Sequence, residues 1–293
     1  MAQTGSGGMI KMIEVAPLFE PADVAALQSW KAGPVKPALW QNDVHVWRAR
    51  LDVPWSWTFD EALSLEDRTR ADRFKFESDR RRFCAARASL RLILSRYLQI
   101  KPGRLKLEAG EFGKPFLADK NQAQGLRFNL SHSHQLALIT VARDREVGVD
   151  IEFMRADFVT DEVAAHFFSP AEVEQFRAVP TELRTHAFFK CWTRKEAYIK
   201  ARGEGLYCPL DQFDVSVMPG ARPALLESRL EAAETQRWSF EDIAAGDRYA
   251  AIVALERRVG AAAAGVRQAG AVHHEMPSRL VLWDFNEDNA SPR

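Results

Sequence analysis

The sequence predicts a chain of strands and helices made as two related halves, and three observations predict it. The order strand, helices, strands recurs twice along the chain. Each half carries a capping-box pattern, Ser64 with Asp67 and Ser169 with Glu172, the second with Pro170 in the favoured first helical position. From each cap the next long helix announces itself at the same distance, Phe83 and Phe188 both lying 19 residues after their serine. A shared spacing of this kind is the mark of an internal duplication.

The elements follow in order. The Gly/Ser-rich residues 1–12 read as disordered. "DVHVWRARLDV" alternates as a strand does, and "EDRTRADRFKFESDRRRFCAARASLRLILSRYL" is helical material. "LRFNLSHSHQLALITVARDREVGVDIE" reads as two or three short strands separated by polar turns. Three helices are expected from "TDEVAAHFF", "SPAEVEQFRAV" and "LRTHAFFKCWTRKEAYIKARGEG", then strands from "DQFDVSV", "RWSFED" and "YAAIVAL". The halves divide as 1–145 and 146–258, with 259–293 a linker-like tail rich in Ala and Gly.

Composition bounds the function. At 293 residues and 46% hydrophobic side chains the chain can build one large core or two modest ones. Forty basic residues balance forty acidic ones, so no global field calls for nucleic acid or an anionic membrane. Cys84, Cys191 and Cys208 are odd in number and lack CxxC spacing, which argues against a disulfide framework or zinc site and for a reducing cytoplasm. No apolar run reaches the roughly 18 residues a membrane span needs, and no signal-peptide pattern opens the chain.

Three groups of residues carry chemistry. In "VGVDIE", Val147, Val149 and Ile151 share one face of a strand while Gly148, Asp150 and Glu152 share the other, which places the two carboxylates roughly 7 Å apart. In "FFKCWTRKEAYIKARGEGL", Phe188, Trp192, Glu196 and Ile199 form one helical stripe, so Glu196 lies on the face that seeks burial, with Lys200 one turn on. Glu196 with Lys200 alone is an ordinary i,i+4 pair. Taken with Asp150 and Glu152, three carboxylates without His or Cys suit Mg²⁺ or Mn²⁺, ions that usually complete their shell with substrate phosphates.

A phosphate-bearing substrate needs counter-charge. Between Arg68 and Arg96 ten basic residues face three acids, a local excess of seven. The run Arg80–Arg82 reads as a solvated helix face, whereas Arg87 and Arg91, set among Ala and Leu, are stronger candidates for phosphate. In "FNLSHSHQLALI", Asn129, Ser131 and Ser133 favour a tight turn with His132 at its tip, and in "EFGKPFL" the turn-like Gly113 and Pro115 leave the Lys114 cation exposed.

In the order "FGKP", "FNLSHS", "GVDIE" and "FFKCWTRKEAYIKARGEGL", these motifs make residues 45–255 resemble the Sfp-type 4'-phosphopantetheinyl transferase family. The resemblance implies a pseudo-twofold α+β fold of two similar halves with the active site at the seam. It implies transfer of the 4'-phosphopantetheine arm of coenzyme A to a serine of an apo acyl or peptidyl carrier protein, releasing adenosine 3',5'-bisphosphate. It makes Asp150, Glu152 and Glu196 the Mg²⁺ ligands, Lys200 a catalytic residue near the pyrophosphate, and Glu196 or a metal-bound water the base. His132, Ser131, Arg87 and Lys114 match coenzyme A contacts. The family often carries a basic residue where Asp67 stands, a role Arg70 or Arg73 would take over. A pseudo-dimer already pairs the halves, so a monomer is expected. Fatty acid, polyketide and nonribosomal peptide carriers all fit, docking near the loop after Glu152 and the helix from Asp161.

Two alternatives remain at this stage. Three carboxylates and a lysine also describe a metal-dependent phosphodiesterase, against which neutral net charge is thin equipment for a duplex polyanion. A catalytically silent coenzyme A or carrier-protein binding module would keep the fold, but would have no need of carboxylates facing a pyrophosphate.

Overall fold

The computed structural model describes residues 29–258 and 278–285, so the expected disorder of residues 1–12 lies outside the described residues. The first half runs β1 (Lys31–Ala32), β2 (Asp43–Arg50), α1 (Trp57–Ala62), α2 (Leu65–Ala71), α3 (Glu77–Leu98), β3 (Leu107–Ala109), β4 (Pro115–Leu117), α4 (Lys120–Ala123), β5 (Leu126–Ser133) and β6 (Leu136–Arg143). The second runs β7 (Val147–Phe153), α5 (Asp161–Phe167), α6 (Pro170–Ala178), α7 (Thr181–Arg202), β8 (Phe213–Val215), β9 (Leu225–Ser228), α8 (Glu234–Arg237), β10 (Trp238–Asp242) and β11 (Tyr249–Glu256). A last strand, β12 (Arg279–Asp284), follows.

Four layers result, helix, sheet, sheet, helix, because the central strands are apolar on both faces. In β2, Trp47 and Ala49 turn toward α3, while Val44 and Val46 turn into a core shared by the two sheets. In β11, Ile252 and Ala254 pack under α7, while Val253 and Leu255 enter the same shared core. The first sheet has the order β1-β12-β2-β6-β5, the second β10-β11-β7. Strands β5 and β7 are therefore edge strands, one from each sheet, and they meet along the seam between the halves.

The duplication is visible in detail. Both capping boxes form, the serine accepting from the N3 backbone and the N3 acid returning to the serine N–H. The long helices α3 and α7 are each 22 residues. In each half the capping acid also grips a cation on the long helix: Arg91 Nε lies 2.5 Å from Asp67, and Lys195 Nζ lies 2.7 Å from Glu172. The helical stretch expected from residue 66 onward is broken into α2 and α3 by residues 72–76.

Residues 279–284, read from the sequence as part of a tail, instead form a strand between β1 and β2, parallel to both. Arg279 makes a two-pronged pair with Asp43 at 2.9 and 2.8 Å, and Arg48 makes one with Asp284 at 2.9 and 3.2 Å. Leu282 enters the core between the sheets and Trp283 packs on the α3 side. The Ala/Gly-rich stretch ahead of it masked a strand whose partners lie more than two hundred residues away. Among the described residues no helix is long and apolar enough to cross a membrane.

Candidate active site at the seam

Position 148 decides how closely α7 approaches β7. A Cβ on Gly148 would sit 2.1 Å from the Ala197 carbonyl oxygen and 2.5 Å from the Ala201 nitrogen, so only glycine lets the helix backbone lie on the strand. That contact brings the next residues of the same strand face, Asp150 and Glu152, beside Glu196 and Lys200. Gly148→Ala would push the helix off the strand, costing about 1–3 kcal/mol of stability. Because it displaces both Glu196 and Lys200, it is expected to lower turnover more than tenfold in a protein that still folds, as read by denaturant unfolding and steady-state rates.

Asp150 is 1% exposed. Its Oδ1 accepts from Lys200 Nζ at 2.5 Å and from Ser131 Oγ at 2.8 Å, while Lys200 Nζ also donates to Ser131 Oγ at 3.1 Å. Asp150 Oδ2 is buried with no hydrogen-bond partner. Glu196 Oε2 lies 4.0 Å from Lys200 Nζ. Burial raises the Glu196 pKa to about 7, the Asp150 and Glu152 charges adding to the rise and Lys200 opposing it. Burial also raises Glu152, helped by Asp150, while Ser133, Lys200 and Trp192 pull the other way. Lys200 is desolvated too, but Asp150, Glu196 and Glu152 outweigh this and hold its pKa above the ordinary lysine value.

The three carboxylates and Lys200 thus meet at one place. No trio of His, Cys, Asp or Glu among the described residues stands already gathered around a metal position. The donor set nevertheless fits a hard divalent cation: every candidate ligand is a carboxylate oxygen, the Asp150 and Glu152 charges add to the burial that raises the Glu196 pKa, and Asp150 Oδ2 is a buried acceptor without a donor.

Strand β5 frames the other side. The sequence reading placed a turn at Asn129–Ser133 with His132 at its tip, but these residues continue β5, and the turn falls at His134 and Gln135, His134 having φ 52°. The polar side chains that suggested a turn alternate along one face and bond to β7 instead: Asn129 Oδ1 accepts from Val149 N at 2.9 Å, and Ser133 Oγ bonds both Glu152 and the Phe153 N–H. Period-two spacing of Asn129, Ser131 and Ser133 was the available signal. His132, on the other face of β5, is solvent-exposed, and partial desolvation with the charges of Lys200 and Arg82 draws its pKa below the usual histidine value.

Of the remaining candidates, Lys114 and Arg87 pair with acids of the scaffold and Arg70 is exposed. Lys114 is not an exposed cation: its Nζ bonds Glu146 at 2.8 Å, the Ala201 carbonyl at 3.0 Å and the Val147 carbonyl at 3.2 Å, bridging the start of β7 and the end of α7. Arg87 Nε lies 2.6 Å from Asp67, whose other oxygen takes Arg91. Arg70 is exposed on α2, its guanidinium 5.4 Å from the Phe83 ring centroid. Arg82, read as a solvated residue of the Arg80–Arg82 run, instead lines a cavity of about 340 Å³ that opens beside Glu152, with Arg155, Phe158, Phe189 and Trp192 on its other walls. It also pairs with Asp79 at 3.3 Å, as its neighbours Arg80 and Arg81 pair with acids at the surface.

The family model described as "4'-phosphopantetheinyl transferase superfamily" matches residues 146–254, and that described as "4'-phosphopantetheinyl transferase, N-terminal" matches residues 47–144. The 4'-phosphopantetheinyl transferase HetI of Nostoc sp. is 39% identical over 229 residues, 78% of this chain and 93% of that protein. This chain belongs to the 4'-phosphopantetheinyl transferase superfamily. The 4'-phosphopantetheinyl transferase Sfp of Bacillus subtilis is 32% identical over 157 residues, covering 54% of this chain and 67% of that protein. The L-aminoadipate-semialdehyde dehydrogenase-phosphopantetheinyl transferase of Xenopus laevis is 29% identical over 204 residues, 65% of this chain and 67% of that protein. The chain is accordingly an enzyme, a phosphopantetheinyl transferase.

Proposed function

We propose that this transferase moves the 4'-phosphopantetheine arm of coenzyme A onto a serine of an apo acyl or peptidyl carrier protein with Mg²⁺ (or Mn²⁺) bound by Asp150, Glu152 and Glu196. The observation that carries the reading is the meeting of these three carboxylates with Lys200 at the seam. When bound, the divalent ion neutralises charge on the pyrophosphate oxygens.

The protein's own groups supply the rest. The carrier serine oxygen forms a bond to the β-phosphorus of coenzyme A, and the bond from that phosphorus to the bridging oxygen breaks. The electron pair leaves with adenosine 3',5'-bisphosphate. Glu196 takes the serine proton, a role suited to a carboxylate whose pKa lies near 7. Lys200, held by Asp150 and Ser131, supplies a cation for the pyrophosphate. Ser131 and His132 present hydrogen-bonding groups from β5, while Arg87, Lys114 and Arg70 are assigned supporting coenzyme contacts.

The reading also has the protein acting in the cytoplasm as a monomer, on fatty acid, polyketide or nonribosomal peptide carriers. The test is the intact mass of an apo carrier protein incubated with this protein, coenzyme A and Mg²⁺, with and without EDTA. A metal-dependent gain of the phosphopantetheine mass is the expected result. Coenzyme A binding with no mass gain on any carrier class would overturn the proposal in favour of a silent binding module.

A further inference from the structure

Among the described residues, strand β7 pairs with β11 along one edge only; its other edge, toward β5, has no backbone ladder. Side chains of β5 do the work a neighbouring strand would do. Asn129 Oδ1 takes the Val149 N–H at 2.9 Å and Ser133 Oγ takes the Phe153 N–H at 3.0 Å, two donors four residues apart on the same edge. Ser133 has a second task. Its hydroxyl hydrogen is donated to Glu152 Oε2 at 2.8 Å. One hydroxyl therefore fixes the backbone at the end of β7 and the carboxylate of the residue just before it. Trp192, from α7, lines the same cavity as Glu152.

We infer that Ser133 is a positioning residue that holds the Glu152 carboxylate toward Asp150 and Glu196 and thereby sets the affinity of the site for a divalent cation. The inference rests on the proposed metal reading. Ser133 differs in this from Ser131, whose hydroxyl contacts Lys200 and Asp150 directly. A long, flexible glutamate loses rotamer freedom when it ligates, and a donor that has already ordered it lowers that cost. The Phe153 N–H also bonded to Ser133 Oγ orients the hydroxyl so that its hydrogen points at Glu152.

The experiment uses the full chain and Mn²⁺ as the probe, with bound ion read by loss of the free Mn²⁺ electron paramagnetic resonance signal in the presence of coenzyme A. Wild type, Ser133→Ala and Ser133→Thr are compared, and coenzyme A affinity is measured separately in EDTA. Removing a hydrogen-bond partner of a metal ligand costs roughly 10- to 100-fold in affinity. Ser133→Ala is expected to show that loss, Ser133→Thr to stay within about threefold of wild type by keeping the hydroxyl, and coenzyme A affinity without metal to be unchanged in both. Wild-type Mn²⁺ affinity in Ser133→Ala, or equal losses in both variants, would overturn the inference while leaving the metal reading in place. A wild-type protein that binds no Mn²⁺ would remove the metal reading and this inference with it.

Discussion

Glu196→Gln is expected to lower turnover by about 10²–10⁴-fold, the range associated with loss of a positioned general base. The substitution keeps the shape of the side chain and its place on the stripe of α7. What it removes is a carboxylate that burial and two neighbouring acids have brought to a pKa of about 7. In the wild-type protein the rate should therefore fall as pH drops through about 7, with bound divalent ion moving the break lower, and Glu196→Gln should lack this acid limb. Stability moves in the opposite sense. A carboxylate raised from 4.5 to about 7 on folding binds a proton more tightly in the native state, so its contribution weakens as pH rises through that window. Without metal, Glu196→Gln should be at least as stable as wild type above pH 7, the gap closing toward pH 5. Denaturant unfolding at the two pH values checks this, and wild-type turnover in Glu196→Gln would exclude it as the base.

The largest effect on stability is expected at Lys195, in the same motif but with a structural task. Lys195 and Glu172 are both fully buried. Lys195 Nζ also donates to the Leu210 and Phe213 carbonyls, each at 2.7 Å, and Glu172 accepts from the Ser169 and Val215 N–H groups. Lys195→Met would leave a desolvated carboxylate facing an apolar chain, and breaking a buried pair in this way costs about 3–5 kcal/mol. Burial already raises the Glu172 pKa against the pull of Lys195. With Lys195 gone the rise grows, so the deficit of the variant should shrink as pH falls and Glu172 takes a proton. Urea unfolding at neutral and acid pH measures both; a loss under 1 kcal/mol at neutral pH would show that water reaches the pair.

These two residues also mark how far the sequence could be read. The stripe of Phe188, Trp192, Glu196 and Ile199 put Glu196 on the buried face, and alternation in "VGVDIE" put Asp150 and Glu152 together, because both follow from local periodicity. The paired capping boxes gave the duplication for the same reason. What local periodicity could not give is which partner a polar side chain finds across the fold. Lys114 looked like a free cation in a turn but spans the seam to Ala201. Arg87 looked available for phosphate and is held by Asp67. Arg82 looked solvated and borders the cavity at Glu152. Serines common in turns proved to be the rungs joining β5 to β7, and β12 hid behind a stretch whose composition resembles a linker.

The placement of β12 orders the folding of the molecule. Every strand of the second sheet lies within residues 147–256, whereas the first sheet receives an inner strand only from residues 279–284. On a ribosome, where chains emerge N-terminus first, the half made first must wait with the β2 edge uncovered, and the half made second can complete its sheet before it. The Arg279–Asp43 pair, spanning 236 positions, is among the latest contacts the chain can make. A chain released before residue 284 would carry the whole seam and both long helices, yet expose the edge of β2 as a template for strand pairing with another molecule.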